Sequence, residues 1–205
     1  MIIIVDYGLG NVRSIFTKIA QMDEEVKISN QICDLESADR LILPGVGAFD
    51  TGIDNLRKLE IIPILDRKIM HDHTPVLGIC LGMQLLSTKS EEGNLKGLAY
   101  LNAETIRFHI TQDGLYRIPH MGWNTIHKTR EIPQLLDLDD NSRFYFVHSY
   151  HLVCNDIQDI AATTTYNYNF PSIIQRKNIL GVQFHPEKSH KQGILLLKNF
   201  ARGDF

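Results

Sequence analysis

The chain reads as an α/β protein, a single domain over residues 1–205 with a mostly parallel central sheet, helices on both faces and some antiparallel additions. Three observations predict this. Up to Lys89, short β-branched runs alternate with longer helical patterns, as βαβ units do around a parallel sheet. Past Ser90 the texture turns β-rich. No internal repeat, low-complexity tract or Pro/Gly/Ser-rich linker divides the chain, and 205 residues are enough for one sizeable core but short for two.

The elements follow in order. Ile2–Val5 is expected as a buried first strand: the opening MIIIVDYG is apolar but reaches Asp6 at once and lacks a basic leader, so it is too short for a signal peptide or a membrane span. A turn at Gly8-Leu9-Gly10 leads into a helix over about 11–21. Gly8-Leu9-Gly10-Asn11 lacks the third glycine of a dinucleotide fingerprint. Residues 26–28 and 41–43 are further strands. Pro44-Gly45-Val46-Gly47 ends the latter, and one helix is expected to carry Ile53, Leu56 and Leu59 and then Ile64, Leu65 and Ile69. Pro75 opens a strand ending at Ile79, and residues 81–89 continue as a helix. The late strands are expected at 105–108, 125–127, 144–152, 161–166, 172–175 and 180–184, with a turn at Gln112-Asp113-Gly114 and a last helix over about 193–201.

Bulk properties narrow the function. Lys plus Arg number 21 against 24 Asp plus Glu, a formal charge of −3, so no global basic field gathers nucleic acid or an anionic membrane. A small-molecule substrate or a protein partner is expected instead. Three cysteines, Cys33, Cys80 and Cys154, are odd in number and sparse, which argues against a disulfide framework and for a reducing, cytoplasmic setting.

The stretch Gly78-Ile79-Cys80-Leu81-Gly82-Met83-Gln84 places a cysteine between two glycines where a strand gives way to a helix. A nucleophile elbow needs small neighbours because its backbone is strained and closely packed. At a helix N-terminus the thiol should ionise below its free pKa of about 8.5, because unpaired N–H groups and the helix dipole favour the anion. A buried structural cysteine is the other reading. A nucleophile wants a base and the base an orienting group. In Gly181-Val182-Gln183-Phe184-His185-Pro186-Glu187, His185 and Glu187 are two apart at a strand end, so the carboxylate can hold the imidazole in one tautomer. The Pro44–Phe49 loop, PGVGAF, can turn backbone N–H groups towards an oxyanion, helped by the N–H of Leu81. All three elements sit at carboxyl ends of strands, where open α/β sheets build sites. His148 and His151, three apart in VHSYH, would face opposite sides of one strand and so share no metal.

Together, LPGVGAF, GICLGMQ, HMGWN, YFVHSYH and GVQFHPEKS closely resemble the triad-type class I glutamine amidotransferases over essentially the whole chain, and more narrowly the glutaminase subunits of imidazole glycerol phosphate synthase. The resemblance implies a flavodoxin-like fold, Cys80 as nucleophile, His185 as acid and base, and Glu187 as its orienting carboxylate. It further implies that Gly47, Gln84 and Glu92 bind glutamine and that Val46 or Gly47 with Leu81 forms the oxyanion hole. It implies no cofactor or metal. The implied partner is a (β/α)8-barrel cyclase that takes the ammonia, with Asn11, Met121, Trp123, Tyr145 and Lys188 at or near its interface and the ammonia exit. Trp123, the sole tryptophan, suits either an interface anchor or a core position. Three rival readings stand beside this one. They are a paralogous subunit serving sugar amidation in surface-glycan synthesis, a non-catalytic regulatory module on the same fold, and a stand-alone cysteine hydrolase.

Overall fold

In the computed structural model, which describes residues 1–110 and 116–203, the chain runs β1 (Ile2–Val5), α1 (Val12–Ala20), β2 (Val26–Ser29), α2 (Ile32–Glu36), β3 (Arg40–Leu43) and α3 (Phe49–Lys58). It continues through α4 (Ile62–Asp66), β4 (Val76–Ile79), α5 (Leu81–Leu85), β5 (Ala103–Arg107), β6 (His120–Thr125), β7 (His127–Lys128) and β8 (Arg143–His148). The last elements are β9 (Tyr150–Cys154), β10 (Ile160–Tyr166), β11 (Tyr168–Arg176), β12 (Ile179–Val182) and α6 (His190–Arg202). The turn expected at Gln112-Asp113-Gly114 lies outside the described residues.

Eight strands form one sheet in the order β2-β1-β3-β4-β12-β11-β10-β7. The first five are mutually parallel, and β11, β10 and β7 add on antiparallel. The strand period of two sorts the sheet's residues into two cores. Ile2, Ile4, Ile42, Leu77 and Ile79 face Ile15 and Ile19 of α1 and Leu196, Leu197 and Phe200 of α6. Ile3, Val5, Leu41, Leu43 and Val76 face Phe49, Ile53 and Leu56 of α3, together with α4 and α5. Two short antiparallel pairs, β5 with β9 and β6 with β8, stand apart from this sheet.

Three expectations are corrected. The helix expected to run from Ile53 to Ile69 is broken: Glu60 has φ +56° and Pro63 sits in the first turn of α4, where its missing N–H costs nothing, as it would not in a helix interior. The helix expected to reach residue 89 stops at Leu85. The Ser87 hydroxyl takes up the Gln84 carbonyl at 2.7 Å, and Thr88 N turns to the Ala103 carbonyl at 2.9 Å. The strand expected over 144–152 is two strands, β8 and β9, which part at Ser149 and pair with β6 and β5 respectively. Helix α2 and most of β6 were not anticipated.

Candidate active site

Cys80 joins the end of β4 to the start of α5 with φ +52° and ψ −108°, a left-handed backbone that a non-glycine residue holds only where its surroundings impose it. Here they do. Cys80 N donates to Val182 O on the neighbouring β12 at 2.8 Å, and Gln84 N donates to Cys80 O at 3.1 Å. The flanking glycines let the turn fit: a Cβ at Gly82 would lie 1.8 Å from Leu43 O, and one at Gly78 would lie 2.8 Å from the Met83 backbone. The thiol side chain that results is buried, 6% exposed.

His185 follows β12, the strand beside β4, so adjacent strand ends deliver the two reactive side chains. Its Nδ1–H donates to Glu187 Oε1 at 2.9 Å, and both side chains are 1% exposed. The backbone is fixed independently: His185 N donates to Tyr145 O at 2.9 Å, while Ser189 Oγ donates to His185 O at 2.6 Å and accepts from Tyr145 N at 3.0 Å. Nε2 is buried and turned to the Cys80 sulfur rather than to any oxygen or nitrogen among the described residues. Burial alone would lower the imidazole's pKa. The attraction of and hydrogen bond to the Cys80 sulfur, and then those of the Glu187 carboxylate, outweigh it and raise the pKa to about 10, so the cationic form is held at neutral pH.

Val46, Gly47, Cys80, Leu81, Gln84, Glu92 and His185 line one cavity of about 260 Å³, together with Pro119 and residues 147–150. The structure therefore brings together every predicted catalytic, substrate-binding and oxyanion residue, with Glu187 behind His185. Gly47 has φ +133°, a conformation that aims the loop's backbone in a way a side chain would hinder. Leu81 is the first residue of α5, and its N–H has no partner within the helix. Glu92 is half-buried; its Oε2 accepts from Phe49 N at 2.8 Å. Its carboxyl is nevertheless pushed above the usual range, chiefly by burial and further by Asp50, against the pull of that N–H. Asp50 in turn accepts from Asn94 N at 2.9 Å and Leu95 N at 3.1 Å, tying the Glu92 loop to the start of α3.

The residues expected at a partner surface also gather. Met121 and Trp123 are 62% and 39% exposed on β6, and Trp123 pairs with Tyr145 on β8. Trp123 stacks on His190, with centroids 5.1 Å apart and planes 7° apart, and Lys188 Nζ lies 5.7 Å from the Tyr145 ring centre. Of the two readings of Trp123, the structure selects the surface. Asn11 caps α1, accepting from Ser14 N at 3.3 Å, and α1 packs against the Pro186–Lys188 turn.

Residue-level reading missed three polar groups at this centre. Gln183 is fully buried, with Nε2 3.7 Å from Cys80 Sγ. The signal was partial: Gln183 stands two residues before His185, the spacing of one strand face, but its contact with Cys80 depends on β12 lying beside β4. His148 lines the cavity and accepts at Nε2 from His120 Nδ1–H at 2.9 Å. Burial holds His120 down to about 4 and His148 well below its ordinary value. His148 and His151 do not share a strand as expected; they lie on β8 and β9, and His151 Nε2 meets Tyr168 OH at 2.9 Å. Among the described residues there is no group of three or more His, Cys, Asp or Glu that could hold a metal ion.

Comparison with known proteins agrees with this geometry. The family described as glutamine amidotransferase class-I matches residues 3–203. A curated protein of Methanococcus maripaludis, imidazole glycerol phosphate synthase subunit HisH 2, is 49% identical, covering 98% of this chain and 99% of that one. The protein of the same name from Pseudomonas aeruginosa is 44% identical over 98% of each. Among solved structures, a glutamine amidotransferase of Thermotoga maritima superposes with a TM-score of 0.62 at 20% identity, covering 97% of this chain and 82% of that one, which speaks to fold alone.

Proposed function

The chain belongs to the class I glutamine amidotransferases, and from that premise we propose that it is the glutaminase subunit of an imidazole glycerol phosphate synthase. It hydrolyses glutamine and passes the ammonia to a (β/α)8-barrel cyclase for imidazole ring closure in histidine biosynthesis. The observation that carries this is the cavity in which Cys80 and His185 meet Gln84 and Glu92.

The chemistry follows from these groups. The Cys80 thiolate attacks the carboxamide carbon of glutamine, and the oxyanion is received by the N–H of Leu81 with that of Val46 or Gly47. His185 Nε2–H protonates the leaving nitrogen, which departs as ammonia and leaves a thioester. Water, deprotonated by His185, adds to the thioester and expels the thiolate with glutamate. Glu187 keeps the imidazole in the required tautomer. Gln84 and Glu92 hold the substrate, and its α-ammonium suits the Glu92 carboxylate, whose charge is otherwise poorly served by its half-buried site. Gly47 supplies the bend that this loop needs.

Ammonia released into water near neutral pH would be protonated and lose its lone pair, so a partner has to cover the exit. Asn11, Met121, Trp123, Tyr145 and Lys188 form the surface for that partner. The cysteines are free, which suits the reducing cytoplasm in which we place the enzyme. Among the described residues, no helix is long and apolar enough to cross a membrane.

The test measures glutamate released from glutamine by the isolated chain, by the chain with a candidate barrel, and by the complex with the barrel's ligand. Near silence alone and strong stimulation in the complex are expected, and Cys80→Ala should abolish turnover while leaving assembly intact. Equal, strong turnover without a partner would remove the channelling argument. A second reading keeps the chemistry and changes the acceptor. Both relatives named above carry the number 2 in their names, which fits one of two numbered subunits; in this reading the chain's own barrel uses the ammonia for sugar amidation. Pairing the chain with each candidate barrel decides between them.

A further inference from the structure

The geometry points to Gln183 as a further catalytic group: its Nε2–H donates to the Cys80 sulfur and stabilises the thiolate that attacks the substrate amide. Gln183 lies just past β12, is 0% exposed, and brings Nε2 to 3.7 Å from Sγ. Besides the His185 imidazole, the sulfur's other polar neighbour is Val147 O at 3.9 Å, which can only accept. A thiol can donate to that carbonyl. A thiolate needs a donor, and Gln183 supplies one that does not leave when His185 gives up its proton.

The direction of the Gln183 amide is set by its neighbours, because every hydrogen bond behind it has one permitted sense. Gln84 Nε2 donates to Tyr150 O at 3.0 Å, which as a carbonyl can only accept, so the same nitrogen faces Gln183 Oε1 at 3.2 Å and donates there too. With its oxygen engaged, Gln183 presents N–H to the sulfur. Tyr150 O also accepts from His148 Nδ1–H at 2.7 Å, which leaves His148 Nε2 to accept from His120 Nδ1–H at 2.9 Å. His120 Nε2 accepts from Asn124 Nδ2 at 3.2 Å, and Asn124 is oriented by donating to Thr165 O and accepting from Thr125 N. A neutral relay thus runs from β6, through the cavity wall, to the nucleophile. Gln183 serves the sulfur twice per turnover: before attack, and when the S–C bond of the thioester adduct breaks and its electron pair returns to sulfur.

This inference rests on Cys80 being the nucleophile, and that reading is checked separately by labelling the wild-type complex with an electrophilic glutamine analogue. The test of Gln183 is the pH profile of Cys80 alkylation by iodoacetamide in the full chain, read on the Cys80 peptide so that Cys33 and Cys154 do not interfere. His185 and Tyr7 are the titratable groups whose charge couples to that sulfur, and neither is altered. Gln183→Met keeps length and apolar volume but has no donor; Gln183→Leu is the substitute if the first fails to fold, judged by thermal melting. Loss of one hydrogen bond to a charged group should move the alkylation profile up by about one pH unit and lower kcat in the complex on the order of tenfold, with KM within about twofold. A folded variant whose alkylation profile and kcat match the wild type overturns the proposal.

Discussion

A histidine buried beside a substrate cavity has to settle its charge, and His120 settles on neutrality. Its ring lies against Tyr166 at 4.1 Å and Phe146 at 4.8 Å between centroids, and burial holds its pKa near 4. In the unfolded chain the same group titrates at about 6.5. Between those values the unfolded state binds a proton that the folded state does not, so His120 contributes stability that is present above about pH 6.5 and lost as the pH falls towards 4. His148, lowered by the same cause, adds to this. His185 acts in another window: with its pKa raised to about 10, its contribution is complete below about 6.5 and disappears as the pH rises through 10. His120→Phe keeps the ring stacking and removes one titrating group. Its unfolding free energy should fall less steeply with acidification from pH 6.5 to 4.5 than that of the wild type, by up to one proton, or about 1.4 kcal/mol per pH unit. Parallel slopes in denaturant titrations across that range would contradict the assignment.

The element that matters most is the turn from β4 into α5, and it is held by contact as much as by dihedral angle. Since a methyl group at Gly82 would meet Leu43 O at 1.8 Å, Gly82→Ala forces α5 away from β3 or drives the Cys80 turn out of shape. A loss of about 3 kcal/mol is expected, read as a lowered melting temperature with much reduced labelling of Cys80. A variant as stable and as reactive as the wild type would show that the turn has slack. This turn was legible in the sequence because strand, glycine, cysteine, glycine and helix are consecutive, so the physics is local. The His185–Glu187 pair was legible for the same reason. The split at Ser149 was not: the aromatic and β-branched run continues through it, and the break exists because β8 and β9 pair with different strands. His148 and Gln183 were missed on the same ground, since β6–β8 pairing and the packing of β12 against β4 bring them to the site. Pro63 did announce the break before α4, and apolar spacing alone masked it.

At the scale of the molecule, the β6–β8 ribbon joins the outer surface to the reactive centre. Outside it carries Met121, Trp123 and Tyr145; inside it supplies Tyr145 O, which fixes the His185 backbone, and Val147 O, which faces the Cys80 sulfur. A partner seated on the outer side would bear on the backbone that anchors His185 and faces the Cys80 sulfur. Trp123 is the anchor to test, because a large aromatic ring, partly exposed and stacked on His190, gains most from being covered. Trp123→Ala should weaken assembly with the proposed barrel partner by about 2 kcal/mol, roughly thirtyfold in Kd by calorimetric titration. The melting temperature of the free chain should change little, since the ring lies outside both cores. At barrel concentrations that saturate the variant, stimulation of glutamine hydrolysis should still fall short of wild type, because the ribbon is then docked without its main lever. Unchanged affinity with unchanged stimulation would place the partner on another face, and the ribbon's link to His185 and Cys80 would be a matter of packing alone.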